Sequence, residues 1–229
     1  MGKKKRGYVL KHYDLLIATP GKNLESQYVK SLVKTLAECD KRGISYKWLN
    51  AYSSLVHHAR ELTATGSDNL NLNPNDKGPM GDSVTYNKIF WIDSDIAWTI
   101  DDFFRLYDSE EEVISGAYLL ADGVKTTVHE LGSALGISKE RILNMNKTVK
   151  VHSIGFGFVA IKSGVFERMS RPWFAHIINN IRSSNGTMLP DALGEDISWC
   201  IRAEQAGVDI MFDPKVLVTH IKTVSLGWK

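Results

Sequence analysis

The sequence predicts an α/β protein, a layered αβα sandwich around a mostly parallel sheet, and three observations predict it. Apolar runs of strand length alternate with stripes at helical spacing through the first half of the chain, in the order β-α-β-α. Punctuating residues fall between them: Thr19-Pro20-Gly21, Gly43, and a stretch from 66 to 83 dense in Gly, Asn, Asp and Pro. The 229 residues, 43% hydrophobic and 24% charged, suffice to bury one large core or two small ones.

Residues 13–18 form an apolar run closed by Thr19-Pro20-Gly21, a strand and turn. Tyr28, Val29, Leu32, Val33, Leu36 and Ala37 make a helical stripe that ends near Gly43. Ile44 to Leu49 reads as a second strand, and residues 54–64, with His57, His58 and Arg60, as a second helix. After the 66–83 loop comes the strand ending Phe90-Trp91-Ile92-Asp93-Ser94-Asp95. Asp101 and Asp102 open the next helix, where carboxylates meet the positive helix end. A strand is expected over Val113–Leu120, with helices around 128–135 and 138–144 in the polar stretch that follows. Ile154 to Ile161 reads as a strand whose glycines admit a close neighbour. Pro172-Trp173-Phe174 is expected to cap a nearby surface. Gly194-Glu195-Asp196 precedes the helical stripe Ile197, Cys200, Ile201 and Ala203, which ends at Gly207. Asp213-Pro214 marks a turn, and Val216 to His220 a last strand.

The net charge of +2 is misleading about the body of the chain. Lys3, Lys4, Lys5 and Arg6 supply four of the 28 basic residues, leaving 24 against 26 acidic ones. A slightly acidic body disfavours a broad nucleic-acid-binding face, and no nucleic-acid partner is expected. Residues 1–12 are expected to be a disordered basic tail, and 13–229 a single domain. No apolar segment of about 18 residues exists to span a membrane, and no apolar stretch of adequate length follows the basic cluster to make a secretory signal. Cys39 and Cys200 lack a CxxC partner and read as reduced core thiols of a cytoplasmic protein.

The Asp pair carries the chemistry. Side chains two apart on a strand project to one side, so Asp93 and Asp95 would offer two hard oxygen donors together. Such donors suit Mg²⁺ or Mn²⁺ that also holds phosphate oxygens. An Asp-rich turn is the plain alternative.

Three features coincide: a strand-terminal Asp-x-Asp, Gly-Glu-Asp at a helix start, and His220 ending a late apolar strand. Their order resembles the nucleotide-sugar-dependent glycosyltransferases of the GT-A (Rossmann-like) fold, closest to the small single-domain family 2-like members, over about Asp14 to His220. The resemblance implies a metal-dependent glycosyltransferase (a hexosyltransferase type) that takes a nucleotide-sugar donor, with a UDP-sugar favoured, and a glycan or other hydroxyl acceptor. It implies Mn²⁺ or Mg²⁺ held by Asp95, with Asp93 and His220 as further metal ligands. Thr19, Pro20 and Gly21 match the nucleotide-contacting turn, and Asp93, Ser94 and Asp95 the donor motif. Arg60 matches an Ala-Arg pair that approaches the nucleotide, although Glu61 stands where Asn is often found. Lys222 could add positive charge near the phosphates. Asp196 matches the general base of inverting members, with Glu195 orienting the acceptor; an acidic first helical turn would need the same residues. Gly155, Phe156 and Gly157 match the segment lining the sugar and acceptor side, with core packing an equal reading for the Phe rings, and Trp173 and Phe174 are candidate acceptor contacts on a mobile loop. Two other readings stand beside this one: a sugar nucleotidyltransferase, which would need a longer Gly-rich phosphate loop than Thr19-Pro20-Gly21-Lys22-Asn23, and a non-catalytic nucleotide- or carbohydrate-binding module.

Overall fold

The computed structural model describes residues 10–66, 78–81, 84–131, 133, 136–182 and 186–222. Numbered in chain order, the strands of the central sheet are β1 (Lys11–Pro20), β2 (Tyr46–Ala51), β3 (Val84–Ile92), β5 (Val113–Ala117), β8 (Val149–Lys150), β9 (Phe158–Lys162) and β12 (Ile210–Leu217). They lie side by side in the order 2-1-3-9-5-12-8. The remaining strands pair off the sheet: β4 (Ile96–Ala97) with β13 (Thr219–His220), β6 (Lys125–His129) with β7 (Gly136–Ser138), and β10 (Ile178–Arg182) with β11 (Met188–Ala192). The helices are α1 (Ser26–Arg42), α2 (Val56–Thr65), α3 (Ile100–Tyr107), α4 (Lys139–Leu143) and α5 (Glu195–Gln205).

The sheet is mostly parallel, as expected. β1, β2, β3, β5 and β12 run one way, while β9 opposes β3 and β5, and β8 opposes β12. The interior strands read as unbroken apolar runs because both faces are covered. Leu15 to Ala18 and Ile89 to Ile92 are all fully buried. Alternation along β3 then divides the core in two: Trp91 packs with Phe156, Phe166, Trp173, Phe174 and Trp199 on one face. Phe90 and Ile92 pack with Tyr28, Trp98, Phe103 and Phe158 on the other.

Local chemistry sets the helix ends. α1 stops at Gly43, whose left-handed backbone (φ 68°) lets its N–H reach the Asp40 carbonyl. The buried stripe of α1 is Tyr28, Leu32, Thr35 and Cys39, whereas Val29 and Val33 of the expected stripe face outward. α3 starts on a capping box: the Thr99 hydroxyl accepts the Asp102 N–H, and the Asp102 carboxylate accepts the Thr99 N–H at 3.0 Å. Asp102 is thus the helix-start residue its position predicts.

Several expectations are corrected. β1 begins at Lys11, inside the expected tail, and continues through Thr19 and Pro20 before the chain turns. The helix expected around 128–135 is overturned at its start, where strand β6 runs to His129; residues 132, 134 and 135 lie outside the described residues. The strand expected from Ile154 begins only at Phe158, so Gly155 to Gly157 belong to the approach. Asp213-Pro214 lies inside β12, across a shift in its register against β5, and makes no turn. Most of the 66–83 loop lies outside the described residues. Among the described residues no helix is long and apolar enough to cross a membrane.

Candidate active site

The Asp-x-Asp segment is a tight turn rather than the last part of a strand. β3 ends at Ile92, the Asp93 N–H donates to the Gly157 carbonyl (3.1 Å), and the Ile96 N–H donates back to the Asp93 carbonyl (3.0 Å). The tip rests on the end of β1. Gly21 there has φ +147°, and a Cβ on it would stand 2.7 Å from Ser94 Oγ, so only glycine fits the approach. With the strand finished, its alternation no longer applies, and the two carboxylates serve different partners.

Asp95 faces β13. β13 pairs antiparallel with β4, setting His220 opposite Ile96, and the Ile221 N–H donates to the Asp95 carbonyl (2.8 Å). His220 Nε2 consequently lies 3.1 Å from Asp95 Oδ2, and Lys222 Nζ donates to the same oxygen at 2.8 Å. His220 Nδ1 donates to the Leu119 carbonyl (2.9 Å), which fixes that proton and aims Nε2 at the carboxylate. Burial opposes ionisation of Asp95, but the bonds from His220 and Lys222 outweigh it and hold its pKa down at about 2. Burial likewise opposes charge on His220, and its bonds to Asp95 and Leu119 win, raising its pKa.

Asp93 faces α2, and its partner is Arg60. That side chain is 2% exposed and grips Asp93 with two bonds, Nη1 to Oδ1 at 3.0 Å and Nη2 to Oδ2 at 3.3 Å. Its Nε points to the first turn of α5, 3.4 Å from Glu195 Oε1 and 3.4 Å from Asp196 Oδ1. One guanidinium thus joins three carboxylates from two distant parts of the chain. Burial works against the Arg60 charge, but Asp93, Asp196 and Glu195 outweigh it and raise its pKa. Asp196 Oδ2 accepts the Phe156 N–H at 3.1 Å, while Oδ1 is buried without a hydrogen bond of its own. Burial pushes the Asp196 carboxyl up; Arg60 opposes this, and the charges of Glu195 and Asp93 reinforce it. A carboxyl raised in this way is suited to taking and giving a proton near neutrality.

An open pocket of about 270 Å³ lies against this turn, lined in part by Pro20, Gly21, Tyr52, Ser53, Ser94 and Asp95. It brings together six of the residues expected at a donor site when Asp93 of its wall and Lys222 on Asp95 are included. Arg60 lies behind its wall.

Other expected contacts are placed elsewhere. Thr19 is fully buried, its hydroxyl bonded to Tyr28 and Trp48. Phe156, Trp173 and Phe174 are also fully buried, with Phe156 edge-on to Trp199 at 4.7 Å and Phe174 edge-on to Trp91 at 5.2 Å. Their rings are core and present no face to an acceptor. The glycines beside them accommodate the protein itself: a Cβ on Gly155 would meet Tyr118 Oη at 2.3 Å, and one on Gly157 the Tyr118 ring at 2.6 Å. Tyr118 and Tyr52 were not anticipated, and Glu61 was expected only as a departure from Asn. Tyr118 accepts the Gly157 N–H (3.2 Å) and lies edge-on to His220. Glu61 accepts the Phe174 N–H (2.7 Å), anchoring the segment after the cis Arg171–Pro172 bond, so its carboxylate has a structural post where an amide was expected.

The donors partly fit a divalent cation. Asp95 and His220 offer one oxygen and one aimed imidazole nitrogen, a set that Mn²⁺ or Mg²⁺ accepts when phosphate or water completes the shell. Asp93 is the poorer candidate, because each of its oxygens already accepts a bond from the Arg60 guanidinium. Among the described residues no three His, Cys, Asp or Glu side chains converge on one point.

No protein-family model matches the chain, and no curated protein matches it. Solved structures do. The chain is similar to A197 from STIV, with a TM-score of 0.52 and 16% identity over 96% of this chain and 98% of that one. It is similar to the catalytic domain of Drosophila beta1,4galactosyltransferase 7 in complex with xylobiose, with a TM-score of 0.50 and 11% identity over 93% of this chain and 71% of that one. A mutant of the same Drosophila enzyme, in complex with manganese, UDP-Gal and xylobiose, matches with a TM-score of 0.48 and 11% identity over the same shares. The likeness at a TM-score of 0.50 shows a fold shared with a glycosyltransferase catalytic domain.

Proposed function

We propose that this protein is a metal-dependent glycosyltransferase that moves a sugar from a UDP-sugar to an acceptor hydroxyl with inversion. The observation that carries this is the meeting, at one turn, of Asp95 with His220 and Lys222 beside a pocket, and of the raised carboxyl of Asp196 on the far side of Arg60. The nucleoside diphosphate occupies the pocket at the end of β1, with Pro20, Gly21 and Ser94 at its edge and the exposed ring of Tyr52 beside it. Lys222 sets a positive charge toward the phosphates. A divalent cation on Asp95 and His220, when bound, stabilises the charge growing on the leaving diphosphate. Asp196 accepts the proton of the acceptor hydroxyl as its oxygen bonds to the anomeric carbon and the bond from that carbon to phosphate oxygen breaks. Glu195 positions the acceptor, and Arg60 positions both Glu195 and Asp196. Two unbridged buried thiols, Cys39 and Cys200, support a reducing, cytoplasmic setting.

A second reading, a nucleotide-binding module without catalysis, is favoured by the commitment of Asp93 to Arg60, which leaves two protein donors for a metal. Asp196→Asn separates the two. An enzyme loses sugar transfer by roughly 10²–10⁴-fold while its UDP affinity stays unchanged. Transfer and hydrolysis undetectable in the unaltered protein with a panel of UDP-sugars, together with intact UDP binding, establishes the module instead.

A further inference from the structure

We propose that His57 and His176 form a second metal site, one for a borderline transition-metal ion such as Zn²⁺. His57 lies in the first turn of α2 and His176 just before β10, 119 residues apart, yet His176 Nε2 stands 3.2 Å from His57 Nδ1. Two nitrogens bound at about 2.0–2.1 Å to one tetrahedral ion stand roughly 3.3 Å apart, so the spacing matches a ligand edge. The second nitrogen of His176 supports this. Its Nδ1 donates to the Leu193 carbonyl at 2.7 Å, which places the proton there and leaves the Nε2 lone pair facing His57. A backbone carbonyl on the far nitrogen is how metal-bound imidazoles are usually oriented and made more basic. The rings meet edge-on at 73° with centroids 4.8 Å apart, and the pair is open to solvent, so an ion has an entry path and water can fill its other positions. Paired imidazoles favour Zn²⁺, Cu²⁺ or Ni²⁺ over Mg²⁺. On binding, His57 changes tautomer: the proton that Nδ1 donates to His176 leaves to solvent, Nε2 takes one from solvent, and the Nδ1 lone pair turns to the ion.

The placement gives the ion a mechanical consequence. His57 is one turn before Arg60 on α2, and the Leu193 carbonyl that holds His176 is two residues before Glu195. An ion there cross-links the two elements that carry Arg60, Glu195 and Asp196. This inference does not depend on the glycosyltransferase reading.

The test is calorimetric titration of Zn²⁺ into the full chain carrying Asp95→Ala, which removes the carboxylate of the donor pocket. One equivalent should bind, and adding either His57→Ala or His176→Ala should weaken it by at least about tenfold. Both positions lie at the surface, and circular dichroism verifies that each variant is folded. No Zn²⁺ uptake by the Asp95→Ala chain up to roughly 0.1 mM, or uptake that neither histidine substitution changes, overturns the proposal.

Discussion

At the scale of single residues, Arg60 and the three carboxylates it gathers hold the site together. Removing one partner of a buried ion network leaves charge uncompensated, at a cost of about 3–5 kcal/mol. Arg60→Met is expected to lose stability of that order in urea unfolding near neutral pH; a variant as stable as the parent contradicts the network. Asp196 behaves oppositely. Folding raises its pKa, so burial costs nothing below the ordinary carboxylate range, and the cost grows as pH rises through the folded value. Asp196→Asn should therefore melt above the parent at about pH 8, and the difference should vanish by about pH 4. Equal melting temperatures at both pH values contradict a raised carboxyl. The acidic residues of this cluster and His220 were legible in the sequence because each sits at the end of an apolar element. The grip of Arg60 on Glu195 was not, since it spans 135 residues and no local pattern encodes it. Trp173 and Phe174 were misjudged for a similar reason: a ring in a loop sequence carries no mark of whether the fold covers it.

At the scale of elements, two close approaches hold the site. Gly157 lets the Tyr118 ring lie against the segment leading into β9, and Tyr118 in turn abuts His220. Gly157→Ala forces overlap with that ring and should cost about 1–3 kcal/mol. Gly43 offers a contrast, because a Cβ there meets nothing and only the left-handed backbone is strained. Gly43→Ala should cost about 1 kcal/mol and leave UDP binding unchanged, whereas Gly157→Ala should weaken it as well. Both are read by denaturant unfolding with a parallel UDP titration, and unchanged UDP affinity in Gly157→Ala removes Tyr118 from the support of the site. α1, α3 and α5 were legible because their ends are written locally, in Gly43, the Thr99–Asp102 box and Glu195-Asp196. The strand β6 was not. Val128 and Leu131 fit a helical spacing, and the choice was made by its pairing with β7, contacts that propensity does not contain.

At the scale of the whole molecule, a sheet with apolar cores on both faces carries the site at the ends of β1 and β3, beside the join between β4 and β13. Trp173 belongs to the support and not to a binding surface. Trp173→Ala is expected to cost about 3–5 kcal/mol of stability in denaturant unfolding while leaving the pocket's UDP affinity intact. A large loss of UDP affinity in the folded variant would return the ring to the site. The α/β class and the predominantly parallel sheet were legible from the alternation of runs and stripes. The strand order was not, because the antiparallel insertion of β9 between β3 and β5 depends on pairings over forty residues and more. If Asp95 anchors a metal-dependent nucleotide site, calorimetric titration with UDP, run with Mn²⁺, again after EDTA, and with GDP as control, should find UDP binding that needs Mn²⁺, exceeds that of GDP and disappears in Asp95→Ala. Failure of the folded, Mn²⁺-supplied protein to bind either nucleotide would contradict such a site.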